Sequence, residues 1–183
     1  MENKRTCPFG GFDMPIQYST IIEEHEAVRN DCGVFDVSHM GEVTVKGKDA
    51  ERYVQHIFTN DVSKISDGQI LYGMMCYEDG GTVDDLLVYK MAENDFFLVI
   101  NAANIDKDWQ WMQDNAKGFD IELVNRSEDY GQVAVQGPNS EKVVEEVLGL
   151  ECKELTFYTV KTIGDVIISR TGYTGEDGFE IYA

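Results

Sequence analysis

Residues 82 to 101 read TVDDLLVYKMAENDFFLVIN, two runs of β-branched and aromatic residues around the polar stretch Met91-Ala92-Glu93-Asn94-Asp95. Runs of that composition, split by a short polar break, predict a β-hairpin. A turn centred on Glu93 sets Asp85 against Asn101, Leu87 against Val99 and Tyr89 against Phe97. The two-residue period of a strand then puts all six side chains on one face of the sheet. A carboxylate and a carboxamide stand together at the mouth of an apolar, aromatic wall. Such a surface suits a flat heteroaromatic ligand with polar edges, and pterins have that shape. Asp84 falls on the opposite face, where it is expected to be exposed or to cap the turn. On spacing alone, Asp84-Asp85 reads more readily as the end of a turn before a strand.

Upstream, the apolar run Ile70 to Cys76 and the turn Glu78-Asp79-Gly80-Gly81 predict a further strand paired with Thr82 to Tyr89. Thr20 and Glu23 have capping-box spacing ahead of a helix that ends at Gly33. Val34-Phe35-Asp36-Val37 follows, and Glu42 to Lys46 alternates like a strand. Ala50, Tyr53, Val54 and Ile57 fall on one face of a helix from Ala50 to Phe58. Downstream, Asn104 is placed to cap a helix through Lys117, with Trp109, Met112 and Ala116 inward and Gly118 as the stop. Gln132 to Val135 reads as a strand, and Gly137-Pro138 opens a helix carrying Val143, Val144, Val147 and Leu148. Two more strands are expected near Asp165 to Arg170 and Phe179 to Tyr182. Strands mixed with helices, and several hairpins, define an α+β class of antiparallel sheets with flanking helices.

The 183 residues carry a net charge of −19. That field repels phosphate backbones, so nucleic acid is not an expected partner. Neither a phosphate-binding G-x-x-x-x-G-K-[ST] loop nor a G-x-G-x-x-G turn is present, which leaves nucleotide chemistry unsupported. The start, Met1-Glu2-Asn3-Lys4-Arg5, leads to Cys7-Pro8 without the apolar stretch of a signal peptide, and no apolar run is of bilayer length. The expected location is the cytoplasm, with no membrane. Cys7, Cys32, Cys76 and Cys152 are scattered, so they read as small buried thiols, and no metal site is expected. His39 sits in a loop that has room for a ligand, although a lone histidine is more often structural. His25 and His56 fit helix surfaces. The stretch from Arg170 to Glu180, RTGYTGEDGFE, has three glycines within seven residues. A structural turn between two strands explains it as well as a binding loop does.

Six segments taken in order resemble the glycine cleavage T-proteins: FGGFDMPIQY (9 to 18), GVFDVSHMGE (33 to 42), DDLLVYK (84 to 90), VINAANIDKD (99 to 108), AVQGP (134 to 138) and SRTGYTGEDGFEI (169 to 181). The resemblance implies a folate-binding aminomethyltransferase fold whose domains surround a central cavity. It implies a discontinuous first domain, residues 1–45 plus 126–183, around a second antiparallel α+β domain, residues 46–125. Asp85 matches the family's key acidic residue beside the reacting nitrogens of the folate. Tyr89 and Asn101 match residues that line and hydrogen-bond the pterin, and Met40, Tyr72, Tyr173 and Glu180 match other pocket positions.

The implied reaction moves a one-carbon unit from an aminomethyl group on the dihydrolipoyl arm of the partner H-protein to tetrahydrofolate, releasing ammonia and giving 5,10-methylenetetrahydrofolate. An ionised Asp85 would favour the positive charge that develops on the carbon and accept the proton lost from nitrogen. Relative to the family, the C-terminal jelly-roll domain and an arginine of the folate site are missing, so the chain reads as an N-terminal fragment. Alternatives are an inert fragment, or a relative such as a demethylase, a folate domain of sarcosine or dimethylglycine oxidation, or an iron–sulfur assembly factor. TGYTGEDGFE argues against the last, whose loop carries a cysteine-containing KGCY-type motif.

Overall fold

The computed structural model describes residues 5 to 183, so the stretch Met1 to Lys4 lies outside the described residues. In chain order the elements begin with strands β1 (Arg5–Phe9) and β2 (Phe12–Gln17), helix α1 (Ile21–Asn30), and strands β3 (Gly33–Asp36) and β4 (Gly41–Lys46). Helix α2 (Ala50–Ile57) is followed by strands β5 (Ile70–Cys76), β6 (Thr82–Ala92) and β7 (Asp95–Ile100), helix α3 (Ile105–Asp114) and strand β8 (Glu122–Asn125). Strand β9 (Gln132–Gln136), helix α4 (Ser140–Glu146) and strands β10 (Val160–Ile163), β11 (Val166–Ser169) and β12 (Gly178–Tyr182) complete the order.

The chain divides into two compact units, the first built from residues up to 39, 131–157 and 161–183, the second from 40–130 and 158–160. These boundaries differ from the 45 and 125 expected from sequence. The reason is pairing: β4 lies between β7 and β8, so Gly41 to Lys46 belongs wholly to the second sheet.

The second unit is a five-stranded sheet in the order β5-β6-β7-β4-β8. The pairing of β6 with β7 sets Leu87 opposite Val99 and Tyr89 opposite Phe97, the register that a turn centred on Glu93 requires. A bulge beyond Lys90 moves Ala92 opposite Asp95, and Asn94 takes the left-handed conformation at φ 56° that closes the turn. One face of this sheet carries Val43, Val45, Leu86, Val88, Phe96, Leu98 and Ile100, packed with Tyr53, Val54 and Ile57 of α2 and Met112 of α3. Burial of such side chains contributes about 1.5–3 kcal/mol each. Alternation sends Asp85, Leu87, Tyr89, Phe97, Val99, Glu42 and Thr44 to the other face.

The first unit holds a five-stranded sheet, β10-β11-β12-β9-β3, and the hairpin β1-β2. Val135, Ile168, Phe179 and Ile181 pack with Val144 of α4 and with Cys152 and Leu155. The other face of β9 and β12 presents Gln132, Gln136 and Glu180.

Several local expectations are corrected. Thr20 caps α1 by accepting the Glu23 backbone N–H at 3.2 Å, but its hydroxyl donates to the Glu23 carboxylate at 2.8 Å, which therefore does not reach back to the backbone. Helix α3 stops at Asp114 rather than Lys117, and Asn104 stands at its N-cap position but makes no side-chain cap hydrogen bond. Helix α4 ends at Glu146, which leaves Val147 and Leu148 exposed. Of the cysteines only Cys152 is buried; Cys32 and Cys76 are intermediate and Cys7 is exposed. No helix among the described residues is long and apolar enough to cross a membrane.

Candidate functional site

Asp85 lies near the start of β6 and is partly exposed. The Tyr72 hydroxyl, from neighbouring β5, donates to its Oδ2 at 2.7 Å. The Asn101 amide, just past β7, lies 3.1 Å from its Oδ1 and 3.0 Å from its backbone oxygen. Three strands thus converge on one carboxylate. A phenol and an amide fix its two oxygens while leaving lone pairs available, so it is an oriented acceptor for N–H groups and protons.

Asp84, expected to be exposed or to cap the turn, is only 7% exposed. The face opposite Asp85 is the face that α3 covers, so the first aspartate of the pair is drawn under the helix. Its Oδ1 accepts the Asn101 amide at 3.1 Å and the Asp85 backbone N–H at 3.0 Å, and its Oδ2 accepts the Asn104 amide at 3.0 Å. Burial works to raise the Asp84 carboxyl, but the hydrogen bonds it accepts, among them those from Asn104, Asn101 and the Asp85 backbone, outweigh it and hold the group below the ordinary range. Asp108, on α3, is 0% exposed, and burial, followed by the hydrogen bond and charge of Asp84, pushes it up to about 7. Among the described residues no group of His, Cys, Asp and Glu is arranged to hold a metal ion.

Glu42 is a further buried acid on the Asp85 face, opposite Val99 in the row that continues through Leu87 to Tyr72. It is 1% exposed, neither carboxylate oxygen meets a hydrogen-bond donor, and burial pushes it up to about 8. Sequence reading passed over Glu42, Asn104 and Asp108 as site residues. The available signals were the odd polar residue at an inward β4 position and the helical spacing of Asn104 and Asp108 beneath the Asp84-Asp85 pair.

The remaining expected residues have individual settings within their own units. Tyr89 lies on the Asp85 face but is fully buried, edge-on to Phe97 at 5.7 Å, and Phe97 in turn meets Tyr130 at 5.4 Å. Met40 is half-buried just before β4. Tyr173 and Glu180 belong to the first unit. Tyr173 is fully exposed at the tip of the glycine-rich loop. Glu180 accepts from the Thr171 hydroxyl and from the Gln132 amide at 3.2 Å, and burial raises its carboxyl. His39 stands edge-on to Phe9 at 5.3 Å and burial lowers its basicity.

The glycine-rich loop has a structural explanation in its own unit. Gln136, the glutamine of AVQGP, donates to the Thr171 carbonyl at 3.0 Å and accepts from the Thr174 hydroxyl at 3.0 Å. A Cβ on Gly172 would come within 1.9 Å of its side chain, and one on Gly178 within 2.4 Å. Two glycines therefore make the slot that this glutamine fills. Arg170 clamps the loop base with a two-pronged bond to Asp177, at 2.9 and 2.5 Å.

This fold, with an oriented acid near the start of β6, is that of the glycine cleavage T-protein. The crystal structure of glycine cleavage system aminomethyltransferase T from Bartonella henselae matches with TM-score 0.92 at 34% identity, over 98% of this chain and 49% of that one. The family model for the GCVT N-terminal domain matches residues 2–183, and the chain belongs to that family. An aminomethyltransferase of Listeria monocytogenes is 52% identical across 97% of this chain and 50% of its own length. One from Desulfitobacterium hafniense is 55% identical across 95% and 49%. The chain thus spans about half the length of the curated relatives it matches. Heterotetrameric sarcosine oxidase from Corynebacterium sp. U-96, at TM-score 0.60 and 11% identity, shares the fold alone.

Proposed function

We propose that this chain supplies the folate-handling part of an aminomethyltransferase, which transfers the one-carbon unit from the lipoyl arm of an H-protein to tetrahydrofolate in the cytoplasm. The observation that carries this reading is the Asp85 carboxylate, oriented by Tyr72 at 2.7 Å and Asn101 at 3.1 Å beside the apolar row of Leu87 and Val99. The donor set fits a reduced folate. A fixed acceptor meets ring or bridge N–H groups, and the apolar row meets a ring face. Asp85, Asn101 and Tyr72 would hold the folate at its reacting edge. Bound tetrahydrofolate supplies the nitrogen nucleophiles that capture the carbon. Asp85 accepts the proton lost from nitrogen and stabilises positive charge near the carbon in transit. Tyr72 and Asn101 keep its oxygens aimed, so little reorganisation is needed as charge develops.

Two measurements test this. Calorimetric titration of the chain with tetrahydrofolate should register saturable binding, and its absence would support an inert fragment. Formation of methylenetetrahydrofolate with aminomethylated H-protein should then be followed for the chain alone and for the chain joined to the second half of the Listeria relative. Folate binding without lipoyl-dependent transfer in both would move the assignment to another folate-dependent enzyme.

A further inference from the structure

Behind Asp85 lies an arrangement with a bookkeeping problem in protons. Asn101 has two amide protons and three acceptors within 3.1 Å: Asp84 Oδ1, Asp85 Oδ1 and the Asp85 carbonyl. How these protons are shared sets how firmly Asp85 is held, so the charge on Asp84 is felt at Asp85. Asp84 is itself fixed by the Asn104 amide and by the Asp85 backbone N–H. Asp108 faces it from α3, fully buried. As a carboxylate, Asp108 finds no hydrogen-bond donor for either oxygen. Lys107 lies 3.4 Å from Oδ1, in ion-pair range, but its ammonium also donates to the Val83 carbonyl. A buried, unsatisfied carboxylate beside a second one is the costlier state, and retaining one proton between them removes both the repulsion and the missing donor.

We propose that Asp84 and Asp108 form a proton-sharing pair, with Asp108 the donor, and that this pair positions the Asp85 carboxylate through the Asn101 amide. The proposal rests on the reading of Asp85 given above and adds two positioning residues to it. With the proton in place Asp84 is a single, hydrogen-bonded anion, and Asn101 divides its protons between Asp84 and Asp85. Loss of that proton sets two anions side by side under α3, draws donors toward Asp84 and loosens Asp85. The charged groups facing Asp108 are Asp84 on β6 and Lys107 on its own helix, and burial with the Asp84 charge outweighs the lysine. Because Asp108 titrates at about 7, transfer should fall as pH rises through neutrality.

The test uses the protein competent in transfer, with thermal melting to verify folding of each variant. Asp108→Asn replaces the proton donor by an amide donor that cannot ionise, so turnover should be retained and the alkaline decline should disappear. Asp108→Ala removes the donor, and kcat should fall on the order of 10- to 100-fold with folate affinity unchanged, the signature of misplacement rather than lost binding. A folded Asp108→Ala variant with normal kcat, or an Asp108→Asn variant that keeps the alkaline decline, would overturn the pair. Carbon-13 carboxyl NMR of the 183-residue chain supplies a readout independent of activity. One aspartate should titrate near neutrality, and that signal should vanish in Asp108→Asn; confinement of every aspartate to the ordinary carboxylate range would overturn the proposal. If Asp85→Asn is inert in transfer, the reading of Asp85 fails. If Asp85→Asn is crippled and Asp108→Ala is not, only the pair fails.

Discussion

The non-helical faces of the two sheets treat their acids differently. In the first unit Glu180 is held by Thr171 and Gln132, Gln136 fills a slot between Gly172 and Gly178, and Ser169 and Thr171 share a hydrogen bond at 2.7 Å. In the second, Asp85 is oriented but keeps acceptor capacity, and Glu42 has no donor at all. Acids whose oxygens are met by donors stabilise a scaffold, even where one buried amide oxygen, Gln132 Oε1, is left without a partner, whereas carboxylates left short of donors mark where a ligand or a proton is to be received. On the function proposed above, the second face carries the proton chemistry, while the first braces the glycine-rich loop.

The sharpest way to break this contrast is Asp85→Asn. It should leave folate binding by calorimetry close to unchanged and slow methylenetetrahydrofolate formation by about 100-fold or more. Near-normal turnover would remove Asp85 from the reaction and erase the distinction between the faces.

Stability against pH sharpens it next. Glu42 rises from the ordinary 4.5 to about 8 in the folded chain, and Asp108 from 3.8 to about 7. The folded state holds protons that the unfolded state releases. Their contribution is complete below the unfolded values, declines as pH rises, and is gone above the folded ones. Each group should lower stability by about 1.4 kcal/mol per pH unit within its window. Denaturant midpoints measured from mildly acidic to mildly alkaline pH should fall, and Glu42→Gln should flatten the upper part of that fall. A flat profile in the parent chain would mean Glu42 is ionised and has found a partner.

Smaller effects are expected in the first unit. Thr171→Val removes a hydroxyl donor from buried Glu180 and should cost about 1–3 kcal/mol by urea unfolding. A change within error would show that Glu180 is satisfied without it. Arg170→Lys keeps the charge but loses the fork to Asp177, so it should cost only about 0.5–1 kcal/mol. Faster proteolysis within residues 171 to 177 is the expected companion, and an unchanged cleavage rate would mean the glycine-lined slot alone holds the loop.

Much of this was legible in the chain. The hairpin register followed from two apolar runs around Glu93, and the α2 face from the spacing of Ala50, Tyr53, Val54 and Ile57, since periodicity is local information. Asp84 was misjudged because the same alternation that turns Asp85 outward turns Asp84 toward a helix whose position no local pattern encodes. Asn104 does stand at the N-cap of α3, but its amide donation to Asp84 depends on a neighbour that local spacing does not reveal.

The sequence by itself determined the family and the class of fold, because these reside in ordered motifs and short-range periods. Only the tertiary structure decided that Asp84, Asp108 and Glu42 are buried acids and that Gly172 and Gly178 enclose Gln136. Burial and proton retention depend on which distant segments exclude water from a group, and that is a property of packing that no single stretch of chain contains.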